Sequence, residues 1–119
     1  MKAVVFERFG DPAEVLQVRE EPEPEPGPGQ VRVRMLASPI GPADFLTVRS
    51  EYGYQPKLPA TPGTEGVGIV EAGRGLLGRM LVGRRVAVLN ETGGNWQEKV
   101  VVSALRSCVT LESLPLYAR

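Results

Sequence analysis

The chain has 119 residues, enough for one domain with a modest core, and carries 14 lysines and arginines against 14 aspartates and glutamates with no histidine. Zero net charge gives no reason to expect nucleic acid or an anionic membrane as a partner, and a chain without histidine can build neither a Ser-His-Asp nor a Cys-His nucleophile. The single cysteine, Cys108, excludes an internal disulfide and leaves a zinc ion one thiol and carboxylates, so no metal site is expected.

Glycine (14) and proline (11) make up about a fifth of the residues, against a usual share of roughly 12%. Valine-rich runs between them point to a mainly β fold, a compact and partly open barrel of seven short strands with one or two short helices. A first strand is expected over 2–9, closed by Gly10-Asp11-Pro12. Residues 15–20 follow as a strand with Leu16 and Val18 inward and Gln17 and Arg19 outward. The acidic, proline-stiffened segment 21–29 reads as a solvated loop, since proline offers no donor to a ladder.

Residues 30–36 give the clearest strand, with Val31, Val33 and Met35 inward and Arg32 and Arg34 outward. Pro42 suits the first turn of a short helix over 42–48, whose apolar side would be Phe45, Leu46 and Val48. A glycine-laced strand is expected over 63–71, where glycines mark bends or close backbone approach. The all-apolar run 86–89 reads as a strand buried on both faces. Residues 91–95 form a turn, and 96–102 would be the last strand.

Gly73-Arg74-Gly75-Leu76-Leu77-Gly78 matches the G-x-G-x-x-G spacing of dinucleotide sites. That motif needs a full helix whose N-terminus faces the pyrophosphate and an acidic residue closing a second parallel strand. Only four residues separate it from Gly83-Arg84-Arg85, and Glu91 falls in a turn, so a hairpin loop is expected and not a nucleotide site.

In order along the chain, Lys2-Ala3-Val4-Val5, Gly29-Gln30-Val31-Arg32-Val33, Pro42-Ala43-Asp44, Glu51-Tyr52-Gly53, Leu58-Pro59, Gly63-Thr64-Glu65-Gly66-Val67-Gly68-Ile69-Val70 and Gly83-Arg84-Arg85-Val86 resemble the N-terminal catalytic domain of the medium-chain dehydrogenase/reductase superfamily. Ser38-Pro39-Ile40-Gly41-Pro42-Ala43-Asp44 and Tyr52-Gly53-x-x-Pro56-x-Leu58-Pro59 tilt the resemblance toward its zinc-free, NADPH-dependent members, the mitochondrial-type enoyl thioester reductases, with the quinone oxidoreductases beside them. The resemblance implies a GroES-like, partly open barrel over 1–102. Thr64 stands where the zinc alcohol dehydrogenases carry a histidine ligand, and their cysteine near Pro42 is also missing.

The resemblance further implies that Tyr52 is the catalytic phenol that bonds or protonates the oxygen of an enolate, a role a phenol can fill because it donates a hydrogen bond. Asp44, Thr64 and Trp96 would face substrate or cofactor. Against this stand plainer roles: Asp44 at a helix start, Thr64 as strand filler, Trp96 in the core, Tyr54 as packing, and Glu65 tying backbone or an arginine.

The family continues into an NADPH-binding Rossmann domain, which is absent here. Residues 103–119 read as an atypical tail, compatible with truncation or a frameshift. NADPH therefore belongs to the full-length family, and this chain alone is expected to bind none. A small-molecule substrate, enoyl thioester or quinone, would be used only once a Rossmann domain completes the site. The alternative is a stand-alone GroES-like binding or assembly module. Missing return strands would leave unpaired edges open to homodimer or edge-strand association. No stretch approaches the roughly 20 apolar residues that span a bilayer, and no signal segment opens the chain, so a cytoplasmic location is expected.

Overall fold

The protein is represented by a computed structural model that describes residues 1–111. Its larger sheet is built around Glu65–Gly73 (β4), which pairs antiparallel on one side with Gln30–Ala37 (β3) and on the other with Arg85–Leu89 (β5). Lys99–Ser103 (β6) lies outside β3 and Cys108–Thr110 (β7) outside β5, giving the order β6-β3-β4-β5-β7. Lys2–Val5 (β1) and Gln17–Glu20 (β2) form a separate antiparallel pair. Backbone bonds from Val4 N–H to Trp96 O and from Glu98 N–H to Lys2 O, 2.9 and 3.0 Å, tie that pair to the segment before β6. The fold is mainly β, with two sheets that do not close into one barrel.

Alternation along the strands builds the main core. Val31, Val33, Val70, Val86, Val88, Val100 and Val102 all turn to one face, and five of them are 1% exposed or less. A second cluster joins Phe6, Val15 and Val48, with Phe9, Leu16 and Leu58 against it. It fixes the helix Pro42–Val48 (α2) to the first segment, where Gly10 N–H also donates to Val48 O at 3.0 Å.

β3 and β4 approach too closely for an ordinary pleat. A β-carbon on Gly68 would lie 2.5 Å from both the Arg34 carbonyl oxygen and a Val33 methyl, which no side chain tolerates. The register slips twice, leaving Leu36 as an extra residue in β3 and Glu71 as one in β4. The bulged Glu71 presents its Oε2 to Arg32 Nε at 3.2 Å and Lys99 Nζ at 3.0 Å, linking three adjacent strands. Glu23 and Glu25 of the acidic loop also pair with Lys99 and Arg32, so that loop is tied to the sheet.

Several sequence expectations are corrected. The first strand stops at Val5 because Asp11 caps a one-turn helix, Pro12–Val15 (α1), accepting from Ala13 N–H at 3.1 Å. Val15 is buried there by helical geometry, and Val18, expected inward, is 71% exposed in β2. The loop expected at the G-x-G-x-x-G spacing is a two-turn helix, Gly75–Leu81 (α3). It sits between antiparallel strands, and its glycines permit contact: a β-carbon on Gly73 would lie 2.2 Å from Gly78 O. β5 is buried on one face, through Val86 and Val88, and Leu89 on the other face is 47% exposed among the described residues. The strand expected over 96–102 runs 99–103 and is not the last, because β7 extends the sheet from β5. The described residues thus hold three short helices in place of one or two. Within the segment read as a tail, 112–119 lie outside the described residues.

The Gly68 contact gives a direct test. Gly68→Ala should cost about 1–3 kcal/mol in chemical denaturation, while Gly53→Ala, with nothing within 4 Å of the added carbon, should stay within about 0.5 kcal/mol.

Candidate functional site

The site residues lie where β3, α2 and the start of β4 converge. After β3 the chain runs through Ser38, whose hydroxyl donates to the Glu65 carbonyl, and enters α2 at Gly41-Pro42. Asp44, on the first turn, folds its carboxylate back on the cap. Oδ2 accepts from Gly41 N–H at 2.8 Å, while Asp44 N–H donates to Gly41 O at 3.1 Å. Asp44 is 3% exposed, and its Oδ1 is buried without a donor among the described residues. A buried carboxylate oxygen in that condition is unusual enough to require an explanation.

α2 ends in Arg49-Ser50, where Ser50 adopts a left-handed φ of 63° and turns the chain outward. The loop so produced carries Tyr52 and Tyr54, exposed by 44% and 43%. The chain returns through a cis Leu58-Pro59 bond, and Ala60 exchanges backbone hydrogen bonds with Phe6 at 2.9 and 3.0 Å. Gly63 follows with φ 110°, and its missing side chain leaves room for the Trp96 ring, whose Cδ1 would lie 2.4 Å from an added β-carbon.

Asp44, Thr47, Tyr54, Thr61, Thr64 and Glu91 are among the residues lining a cleft of about 10 Å³, the room of about one water molecule. Of the four site residues expected from sequence, the fold therefore brings two together here, Asp44 and Thr64. Tyr52 lies two positions from the cleft-lining Tyr54 on the exposed loop. Trp96 lines a separate apolar groove of about 440 Å³ with Val4, Met35 and Ile40, and its Nε1 donates to Pro39 O at 3.4 Å. Glu65 contributes its carbonyl to Ser38 through the contact above.

Tyr54, read from the sequence as packing, lines the cleft, and Asn95, which the sequence reading does not single out, is 1% exposed and ties the 90–95 turn to the sheet. Asn95 Nδ2 donates to Val88 O at 3.2 Å, its Oδ1 accepts from Asn90 Nδ2 at 3.4 Å, and its N–H donates to Gly63 O at 3.0 Å. The only sequence signal for Asn95 is an amide directly after Gly93-Gly94, which also reads as ordinary turn chemistry.

No cluster of three or more His, Cys, Asp or Glu side chains among the described residues is placed to hold a metal ion. Cys108 sits in β7 rather than in the cleft, and burial pushes its thiol up to about 11, which opposes the thiolate a metal needs. No helix among the described residues is long and apolar enough to cross a membrane.

An unclosed β half-barrel, with a helix after its long third strand and a cleft at the strand ends, is the architecture of a GroES-like domain. Residues 27–113 match the Alcohol dehydrogenase GroES-like domain, and the chain belongs to that family, as the N-terminal domain type of the medium-chain dehydrogenases and reductases. It is 38% identical over 103 residues to the mitochondrial enoyl-[acyl-carrier-protein] reductase of Mus musculus, covering 87% of this chain and 28% of that enzyme. It resembles the quinone oxidoreductase of Thermus thermophilus, a structure solved also with NADPH, at TM-score 0.76 and 33% identity, covering 97% of this chain and 34% of that one. The quinone oxidoreductase of Pseudomonas syringae pv. Tomato gives TM-score 0.83 at 33% identity, with 96% and 34% covered. The chain thus spans about a third or less of these relatives.

Asp44→Ala should lose about 1 kcal/mol through the missing cap, whereas Asp44→Asn keeps an acceptor for Gly41 and should unfold close to the parent in a thermal melt. Cys108 should alkylate with iodoacetamide far more slowly than free cysteine at pH 8, the rate rising with pH until about 11. The same raised pKa favours the folded state while the thiol is protonated. That contribution is complete below the ordinary value of 9.0 and lost as pH climbs through about 11.

Proposed function

We propose that this chain is the substrate-side half of a zinc-free reductase acting on an activated carbon–carbon double bond of the 2-enoyl thioester type, and that it is inactive until a dinucleotide-binding domain completes it. The observation that carries the proposal is the cleft itself. Asp44 and Thr64 meet there with Tyr54, and Tyr52 extends from the same loop, in a chain similar over 103 residues to an enoyl reductase.

The residues present can handle oxygen and protons. A neutral phenol is a hydrogen-bond donor, and Tyr52, exposed on a loop anchored at both ends, can donate to the oxygen of a conjugated carbonyl as negative charge develops on it. Thr64 offers a hydroxyl in place of a metal ligand. Asp44 holds the N-terminal turn of α2 so that the loop leaves in a fixed direction.

Gly78 of α3 lies against Gly73 and Gln30 rather than at an open loop, which supports a dinucleotide held by another domain that supplies the hydride. A quinone carbonyl would accept the same hydrogen bond, and the quinone oxidoreductases among the structural relatives favour it as a second substrate class.

The test joins the dinucleotide-binding part of an enoyl reductase to this chain. The chimera should oxidise NADPH with a crotonyl thioester, and Tyr52→Phe should lower kcat by at least about 10²-fold, while the unjoined chain gives no saturable NADPH fluorescence change. A chimera that binds NADPH yet reduces no thioester, or a Tyr52→Phe chimera of full activity, would overturn the reading.

A further inference from the structure

The Asp44 oxygen left without a donor has other acceptors beside it in the cleft. Thr47, about one turn further along α2, also lines it. Its hydroxyl hydrogen is committed to the Ala43 carbonyl at 2.8 Å, so its oxygen is left as an acceptor. The segment 61–64 supplies another wall. There the carbonyls of Pro62, Gly63 and Thr64 accept from the N–H groups of Trp96, Asn95 and Asn90, whereas that of Thr61 accepts from none among the described residues. Gly93 closes a further side, where a β-carbon would lie 3.2 Å from the Thr61 carbonyl oxygen.

Charge in the cleft is of one sign. Asp44 and Glu91 line it, and no lysine or arginine does. Asp44 is 3% exposed, and a carboxylate so buried calls for a counter-charge or a full set of donors. Gly41 N–H meets Oδ2, and nothing among the described residues meets Oδ1. The space, about 10 Å³, admits one water-sized guest. A water brings two hydrogens and no charge. A monovalent metal cation is of similar size, takes every one of these oxygens as a ligand and neutralises the carboxylate. Fewer than three acidic side chains meet here, which argues against a divalent or transition-metal ion.

We propose that the cleft binds a single alkali cation, held by Asp44 Oδ1, Thr47 Oγ1 and the Thr61 carbonyl. Hard cations take oxygen ligands of this kind, carboxylate and backbone carbonyl together. The ion joins α2, the segment returning from the tyrosine loop and the turn after β5 at one point, and so fixes both ends of the loop that presents Tyr52. Binding needs neither NADPH nor a thioester, so its failure leaves the reductase reading untouched.

The test is a thermal melt of the full chain at constant ionic strength, with choline chloride replaced by sodium or potassium chloride. The melting temperature should rise by about 2–4 °C in one alkali salt or both, the larger rise marking the ion the cleft prefers. Asp44→Asn, which keeps an acceptor for Gly41, should melt with the parent in choline chloride and show no rise in either alkali salt. Thr47→Val, which keeps the branched shape and removes the oxygen, should lower the rise. Equal melts of the parent in the three salts would overturn the proposal and leave the cleft to a water. So would an Asp44→Asn or Thr47→Val chain that gains as much as the parent.

Discussion

The close passage of β4 across β3 at Gly68 governs much of the rest of the fold. With backbone oxygen where a β-carbon would sit, the two strands press together, and the mismatch is absorbed by an extra residue on each. The extra residue in β3 swings Ala37 and Ser38 toward the start of β4, where Ser38 closes on the Glu65 carbonyl. α2 then begins beside Thr64, and Asp44 comes to the cleft as a consequence of sheet geometry. The extra residue in β4 is Glu71, aimed by its bulge at two cations. Hydrogen bonds donated to Glu23 and Glu71 hold the Lys99 ammonium above its ordinary pKa, so the acidic loop, β3, β4 and β6 share one small charge network. Exposed pairs contribute little individually; their value here is that they fix the loop over the sheet.

The division of labour at the cleft follows from which atoms are already committed. Asp44 gives one oxygen to the Gly41 cap. Thr64, which lines the cleft, engages its carbonyl with Asn90 N–H at 2.7 Å. The loop between Ser50 and Ala60 is anchored at both ends and exposed between them. Such an arrangement places polar groups on a rigid rim and leaves the phenols on the part best able to adapt to a ligand.

The mainly β character, most strand positions, α2 and the valine core are legible because period-two alternation and proline–glycine punctuation act locally. α1 is not, because Asp11-Pro12-Ala13-Glu14 is only one turn and looks like a strand terminator until the cap bond from Ala13 is seen. α3 escapes because its glycine spacing suggests one use of such glycines, approach to phosphate, when the fold uses them to lay helix on strand. Val18 and Leu89 are misplaced because alternation tells which residues share a face and cannot tell whether another layer covers it. The juxtaposition of Asp44 with Thr64 is foreseeable only through family resemblance. Tyr54 and Asn95 depend on long-range packing that no local pattern encodes.

The bonds between β1 and the segment before β6 also bear on the order in which the fold can form. Val4 waits for Trp96, and Lys2 waits for Glu98. Until about residue 98 has been synthesised, the first strand has only β2 as a partner, and a two-stranded ribbon is marginal in water. Closing so long a loop is slow compared with hairpin formation. The β3–β4–β5 meander, joined by contacts closer in sequence, is therefore the part able to assemble first, with the N-terminal ribbon docking onto it late.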